Sequence, residues 1–292
     1  MKLVTFARNG EEQVGVLNQA GDRILPAVLA GVNYGSMNEL IRHMTAEERK
    51  ALEQLAVSKQ QGLGWNEVVK CAPIPEPAQD VLCLGINYKS HAEEAGQYSR
   101  EAFAQAPQAI YFSKRVNRAT ADGEAIDSHP GLVSRLDYEA ELGVVIGRDA
   151  LHVKAEDAFS YVFGYTVIND VSARALQTSH KQWYFGKSLD TFTPMGPCIV
   201  TADEIPAPPA LRISCFVNGE LRQDASTDLL ITDIPKIISE LTAGMMLKAG
   251  TIIATGTPAG VGMGMNPPRF LVPGDRVECR IEKIGSLINI VK

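Results

Sequence analysis

The segment of the chain richest in reactive groups is Asp137-Tyr-Glu139-Ala-Glu141-Leu-Gly-Val-Val-Ile146. As a strand it alternates faces, so Glu139 and Glu141 project from one side while Leu142, Val144 and Ile146 share the other. Two carboxylates held side by side repel each other unless a cation or a proton sits between them. A second apolar run, Val162-Phe-Gly-Tyr-Thr-Val-Ile168, ends in Asn169-Asp170 and delivers a third carboxylate where a core strand leaves its sheet. Three carboxylates completed by waters make an all-oxygen site that suits Mg²⁺ or Mn²⁺ and, with looser geometry, Ca²⁺. No Cys or His lies close to them in the sequence, which disfavours zinc. A solvated strand face produces the same Glu-x-Glu spacing, so the spacing by itself leaves that reading open.

Two further patterns carry polar groups at useful spacings. His91 and Glu94 stand three apart, so a helical turn puts them on one face within hydrogen-bonding reach. Such a pair is either a base supported by a carboxylate or an ordinary exposed helical pair. The run Thr255-Gly256-Thr257-Pro-Ala-Gly260-Val-Gly262-Met-Gly264 lets backbone N–H groups approach an anion, and Thr257 adds a hydroxyl. It lacks the Gly-Lys-Ser/Thr ending of a nucleotide phosphate loop, and a tight β turn is its other reading.

These groups need a framework, and short apolar runs separated by Gly, Pro and Asp supply one. Val81 to Leu84, Ala109 to Ser113, Leu142 to Ile146, Val162 to Ile168, Cys198 to Thr201, Arg212 to Val217, Gly250 to Ala254 and Arg276 to Ile281 are too short for helices and rich in Val, Ile and Phe. Two helical segments interrupt them. One covers about Ser90 to Ala95; the other covers about Asp233 to Leu247, with Ile234, Ile237, Ile238, Leu241 and Met245 on one face.

Ahead of these, Lys2 to Phe6 and Gln13 to Leu17 are strand candidates around the turn-forming Asn9-Gly10, and Thr45 to Leu55 is a helix capped by Thr45. Pro73-Ile-Pro-Glu-Pro77 breaks both patterns as a linker or crossover. The expectation is a mostly β (α+β) chain with a few helices, divided into a small N-terminal α+β domain over 1–72 and a larger domain over 73–292.

Composition narrows the function classes. Of 292 residues 45% are hydrophobic and 21% charged, which is globular rather than disordered. Net charge is −6, with Lys and Arg scattered, so neither a nucleic-acid footprint nor a membrane-surface patch is expected. The first residues lack a continuous apolar signal region, and a cytoplasmic protein follows as the expectation. The five cysteines, far apart and mostly in apolar runs, are expected to be buried free thiols.

From about Val81 onward the chain resembles the fumarylacetoacetate hydrolase superfamily, within it the bacterial branch of acylpyruvate hydrolases, oxaloacetate decarboxylases and 2-hydroxyhepta-2,4-diene-1,7-dioate isomerases. The resemblance rests on Gly85-Ile-Asn-Tyr-Lys-Ser-His91, Tyr111-Phe-Ser-Lys-Arg, Asp137-Tyr-Glu-Ala-Glu141, Gly164-Tyr-Thr-Val-Ile-Asn-Asp170-Val-Ser-Ala-Arg174, Phe185-Gly-Lys187-Ser-Leu-Asp190 and Ala254-Thr-Gly-Thr-Pro-Ala-Gly-Val-Gly262, in family order.

It implies a mixed β-sandwich roll with a small N-terminal domain, usually a homodimer, acting on a small 2-oxo acid. By the same resemblance Glu139, Glu141 and Asp170 hold a Mg²⁺ or Mn²⁺ ion and Lys187 stands beside it. His91 and Glu94 form a water-activating dyad on a lid, Arg174 and Gln177 take the substrate's carboxylate or oxo groups, and Gly256 and Thr257 bind its carboxylate. The family often has an acidic residue after this arginine where this chain has Ala175, so a nearby salt bridge is expected to be missing.

The implied reaction cleaves a C–C bond through a metal-stabilised enolate, by acylpyruvate-type hydrolysis or oxaloacetate decarboxylation. The dienedioate isomerase is the alternative within the branch, and a non-catalytic oxo-acid-binding protein is the alternative outside it.

Overall fold

The computed structural model of the chain describes residues 1–95 and 108–292. Asn9 and Gly10 both take positive φ, 55° and 84°, the two-residue turn whose twist matches the strands it joins, β1 (Lys2–Arg8) and β2 (Glu11–Leu17). There follow β3 (Arg23–Pro26), α1 (Met37–His43), α2 (Ala46–Ala56), β4 (Leu63–Gly64) and β5 (Val69–Lys70). Thr45 starts α2 with a capping box: its hydroxyl accepts from the Glu48 N–H at 3.2 Å, and Glu48 Oε2 accepts from the Thr45 N–H at 2.9 Å. The proline-rich stretch is an ordered crossover, fastened by the Thr5 hydroxyl to the Pro73 carbonyl at 2.7 Å and by the Asn38 amide to the Glu76 carbonyl at 2.8 Å.

Beyond the crossover come β6 (Val81–Gly85), α3 (Lys89–Ala95), β7 (Ile110–Lys114), β8 (Ala125–Ile126), β9 (Leu136–Asp137), β10 (Ala140–Ile146) and β11 (Val162–Asn169). The chain continues through β12 (Ser172–Ala173), α4 (Arg174–Ser179), α5 (Tyr184–Lys187), β13 (Met195–Thr201), β14 (Arg212–Val217) and β15 (Glu220–Ser226). It closes with α6 (Ile234–Thr242), β16 (Ile252–Ala254), β17 (Arg276–Ile281) and β18 (Gly285–Val291). The long sheet has the order β4-β3-β2-β1-β13-β11-β10-β16-β6-β7, and a second sheet has the order β15-β14-β17-β18-β8. The fold is mostly β, as the apolar runs require.

Both faces of the long sheet are covered, and the period of two decides which residue goes where. On β10, Leu142, Val144 and Ile146 enter a core shared with Ile213 and Cys215 of β14, Cys279 of β17, and Ile234, Ile237 and Ile238 of α6. Val145 enters the opposite core, shared with Met37 and Leu40 of α1 and Leu52 and Leu55 of α2. Every residue of β10 and β11 is buried as a result. The N-terminal strands extend the same sheet, since β1 pairs with β13 through Leu3 opposite Ile199.

One helix is shorter than the pattern suggests. α6 ends at Thr242, and Met245, expected on its buried face, is 43% exposed. The Thr242 hydroxyl donates back to the Ile238 carbonyl at 2.7 Å. By Leu247 the backbone must be extended, because Leu247 and Ala150 exchange N–H···O bonds of 2.8 and 2.9 Å, which leaves no room for another helical turn. All five cysteines are free and buried. Among the described residues no helix is long and apolar enough to cross a membrane.

Candidate active site

β10 and β11 run antiparallel with Ala140 opposite Asn169, and this register brings Glu139 and Asp170 to the same end of the sheet. The Asp170 N–H donates to the Glu139 carbonyl at 2.8 Å, and the Glu139 N–H donates to Asn169 Oδ1 at 3.0 Å. Glu141, two residues into the strand pattern, projects to the same side. One carboxylate oxygen from each of Glu139, Glu141 and Asp170 lies within 4.8 Å of the other two, and all three residues are buried.

Three buried cations meet them. Lys187, at the end of α5, donates to Glu139 Oε2 at 2.8 Å and to Asp170 Oδ2 at 2.6 Å. Lys114, the last residue of β7, donates to Asp170 Oδ1 and to the Val171 carbonyl. Arg174, the first residue of α4, places Nη1 2.6 Å from Glu139 Oε1 and Nε 2.9 Å from Asp137 Oδ2. Four carboxylates thus face three cations, and the negative charge left over sits on Glu141. Among the described residues its recorded hydrogen bond is the one it accepts from the Gly256 N–H at 2.8 Å.

The electrostatics follow from those contacts. Burial pushes the Glu141 carboxyl up, the Asp170 and Glu139 carboxylates add to the rise, and its pKa stands well above the ordinary carboxylate value. Burial pushes Glu139 up too, but Lys187 and Arg174 outweigh it and hold this carboxyl below the ordinary range. Burial works against the charge on Lys187, yet Asp170 and Glu139 keep its ammonium pKa raised.

The glycine-rich run wraps the other side. Gly256 sits at φ +96°, and a Cβ there would come 2.7 Å from Asn87 Cβ, so only glycine lets this N–H reach Glu141. The Thr257 hydroxyl donates to the Ala140 carbonyl at 2.8 Å; its proton is committed to the backbone, which leaves main-chain N–H groups as the loop's donors toward an anion. Asp137 ties the loop to Arg174, since its two oxygens accept from the N–H groups of Gly262 at 2.7 Å and Met263 at 2.9 Å.

On α3, His91 Nδ1 and Glu94 Oε2 are 3.1 Å apart, and the Gly260 N–H donates to Glu94 Oε1 at 3.0 Å. With Nδ1 turned to the carboxylate, Nε2 is the ring nitrogen left to act as a base. The rest of the expected lid, 96–107, lies outside the described residues.

A small cavity opens beside the cluster, with His91, Gln177, Thr257 and Trp183 in its wall. Arg174 also lines it; Nη1 donates to Gln177 Oε1 at 3.0 Å, while Nη2 is buried with no hydrogen-bond partner among the described residues. That orphan donor marks a place for an anionic oxygen. Ala175 does not leave Arg174 short of acids, because Asp137 and Glu139 already hold it.

The expected residues therefore come together: Glu139, Glu141, Lys187, His91, Arg174, Gln177 and Thr257 line one cavity, and Asp170, Glu94 and Gly256 are hydrogen-bonded to Lys187, His91 and Glu141 of its wall. His91, remote in sequence from the three carboxylates, reaches the cavity wall but stays outside the three-carboxylate cluster. Sequence reasoning gave no role to Lys114 or Asp137. Asp137 continues the Glu139/Glu141 spacing backward by two, which was a usable signal; a lysine closing an apolar strand was the signal for Lys114. Three buried hard oxygen donors with one uncompensated charge and an adjacent orphan donor match a hard divalent cation bound with an oxyanion.

Buried acids and bases converging on a small cavity at a sheet end describe an enzyme centre rather than a structural ion pair. A family model described as the fumarylacetoacetate (FAA) hydrolase C-terminal matches residues 80–292, and the chain belongs to that family. A relative from Bacillus subtilis named oxaloacetate tautomerase YisK is 47% identical over 224 residues, 77% of this chain and 73% of its own length. Among solved structures, a fumarylacetoacetate hydrolase from Exiguobacterium antarcticum superposes with a TM-score of 0.83 at 38% identity, covering 100% of this chain and 99% of its own. A probable 2-hydroxyhepta-2,4-diene-1,7-dioate isomerase from Mycobacterium abscessus does so at 0.78 and 30%, covering 100% and 98%.

Proposed function

We propose that the protein is a divalent-metal-dependent enzyme acting on small 2-oxo acids through their enolates, with oxaloacetate as the preferred substrate. The observation that carries this reading is the convergence of Glu139, Glu141 and Asp170 within 4.8 Å beside a cavity that also holds His91. Glu139, Glu141 and Asp170 would hold Mg²⁺ or Mn²⁺, which would supply Lewis acidity that favours the enolate of a bound 2-oxo acid. Arg174 Nη2 and the main-chain N–H of Thr257 orient the acid. Lys187 stabilises negative charge that develops on the 2-oxo oxygen.

His91 Nε2, with Glu94 fixing the ring, takes a proton from C3 of the keto acid, and the same nitrogen returns it in the reverse direction. On this reading proton loss at C3 gives the enolate and a proton from solvent on its 2-oxygen completes the enol, whereas decarboxylation starts from the keto form, where loss of CO₂ from C4 leaves the pyruvate enolate, which takes up a proton at C3. The small cavity and the likeness to a protein named oxaloacetate tautomerase support the four-carbon acid. The His91–Glu94 dyad favours a second reading, in which His91 activates water against the distal carbonyl of an acylpyruvate. We also assign the working assembly as a homodimer, to be checked by sedimentation at assay concentration.

The test is to assay Mn²⁺-loaded protein against oxaloacetate, following keto–enol exchange and pyruvate release, and against an acylpyruvate and a hydroxy-dienedioate. Oxaloacetate turnover that a chelator abolishes supports the reading. Inactivity on all three, or activity that survives chelation, overturns it.

A further inference from the structure

Glu139 and Glu141 act as a pair only if the residue between them is fixed, and the sheet does not fix it. Ala140 has Asn169 of β11 on one side, whereas on the other side β16 pairs only with Gly143, Val144 and Val145. The N–H and C=O of Ala140 face the side where β16 has already ended. Side chains complete the edge instead. Gln223 Oε1 accepts the Ala140 N–H at 3.0 Å, the Thr257 hydroxyl donates to the Ala140 carbonyl at 2.8 Å, and Gln223 Nε2 donates to that hydroxyl at 2.8 Å. The second Nε2 proton goes to the Pro258 carbonyl at 2.8 Å. The amide is fully used.

Gln223 comes from β15, in the other sheet. It is the one fully buried residue of that strand, 0% exposed among neighbours that are exposed or half-buried. Packing alone would be served by an apolar side chain, because a buried amide is costly unless every donor and acceptor is met. Here each partner lies in the site: the residue between two carboxylates, and the loop whose Gly256 N–H holds one of them.

We propose that Gln223 is the positioning residue of the carboxylate cage. It locks the Ala140 peptide unit to the Gly256-Thr257 loop and so sets the separation of the Glu139 and Glu141 carboxylates. The inference rests on the reading of those residues as metal ligands. It acts through Ala140 and Thr257, and Gln223 itself touches neither ion nor substrate.

Calorimetric titration with Mn²⁺ tests it, with melting of the metal-free protein as the control for stability. Gln223→Met keeps the shape and removes all three hydrogen bonds; the expected loss of Mn²⁺ affinity is about 10- to 100-fold, the range for lost outer partners of metal ligands. Cys215→Ala, directly opposite Gln223 in the β14–β15 register, cuts packing in the same strand pair and should lower the melting temperature with Mn²⁺ affinity unchanged. Gln223→Glu separates position from charge: an added carboxylate by itself would tighten Mn²⁺, whereas loss of the donors to Thr257 and Pro258 weakens it. This variant carries the comparison if Gln223→Met does not fold.

Unchanged affinity in Gln223→Met, equal weakening by Cys215→Ala, or tighter binding by Gln223→Glu overturns the inference while leaving the cage intact. Wild-type protein that takes up no Mn²⁺ overturns the cage reading and this inference together.

Discussion

Replacing Glu141 by glutamine removes the one charge in the cluster that no cation meets, and the consequence is opposite for the metal-free and the metal-loaded protein. Glu139 and Asp170 each offer an oxygen within 4.8 Å of Glu141. At that separation and an effective dielectric constant of about 20, each pair repels by about 3.5 kcal/mol. Lys187 offsets about one of the two pairs, and the charge-assisted bond from the Gly256 N–H recovers about 1.5 kcal/mol, so a net penalty of about 2 kcal/mol remains with Glu141 ionised. Unfolding entropy of about 2.1 cal/mol/K per residue gives about 0.6 kcal/mol/K for this chain, and Glu141→Gln should raise the melting temperature by about 3 °C.

The gain depends on pH in a fixed direction. Because the folded state raises the Glu141 pKa, chiefly by burial, the native protein holds that proton more tightly than the unfolded chain. The associated stability is complete below the ordinary carboxylate pKa and is lost as pH rises through the elevated folded value. The two proteins should therefore melt together on the acid side and separate on the alkaline side, with the variant higher. Wild type should gain stability on adding Mn²⁺ and, where Glu141 is protonated, release about one proton on binding, read as a buffer-dependent calorimetric enthalpy. The variant should show neither effect. Glu141→Gln that melts lower at every pH and still responds fully to Mn²⁺ would refute the reasoning.

Lys114→Met breaks a fully buried ion pair with Asp170, which costs about 3 to 5 kcal/mol, or about 5 to 8 °C in the metal-free protein. Scanning calorimetry should show Mn²⁺ restoring most of that loss, since the ion replaces the missing charge; a deficit that Mn²⁺ leaves untouched speaks against Lys114 as part of the cluster. His91→Gln should lower oxaloacetate turnover by about 10²- to 10⁴-fold with Mn²⁺ affinity unchanged. A parallel fall in Mn²⁺ affinity would place His91 among the ligands instead. Gly85→Ala introduces a Cβ 2.1 Å from the Trp183 ring, which forces the indole to move; a raised KM with altered tryptophan fluorescence is expected, and constancy of both would remove Trp183 from the substrate wall.

How far the site was legible depends on whether its geometry is local. The alternation that puts Glu139 and Glu141 on one side of a strand needs only a period of two, and the three-residue step from His91 to Glu94 needs only a helical turn. Both are properties of short segments and survive in any fold that keeps them. The Lys114–Asp170 contact spans 56 residues and Gln223–Ala140 spans 83, and these depend on which strands become neighbours. β6 and β7 reach the cage only because β16 inserts between β10 and β6, a parallel pairing with no turn to announce it. Met245 shows the converse error: helical spacing continued past Thr242, but the pairing of Leu247 with Ala150 ended the helix first.

The same charges explain why a site of this kind needs two partners to be comfortable. Alone, the cluster of Asp137, Glu139, Glu141 and Asp170 against Lys114, Lys187 and Arg174 carries one excess negative charge, which together with burial raises the Glu141 pKa. A divalent cation turns the excess to one positive charge, which a buried site tolerates no better. A 2-oxo monocarboxylate brings the count to neutral, and the unpaired Nη2 of Arg174 is a donor for it. A second carboxylate, as in oxaloacetate, leaves one negative charge that calls for a donor outside the cluster.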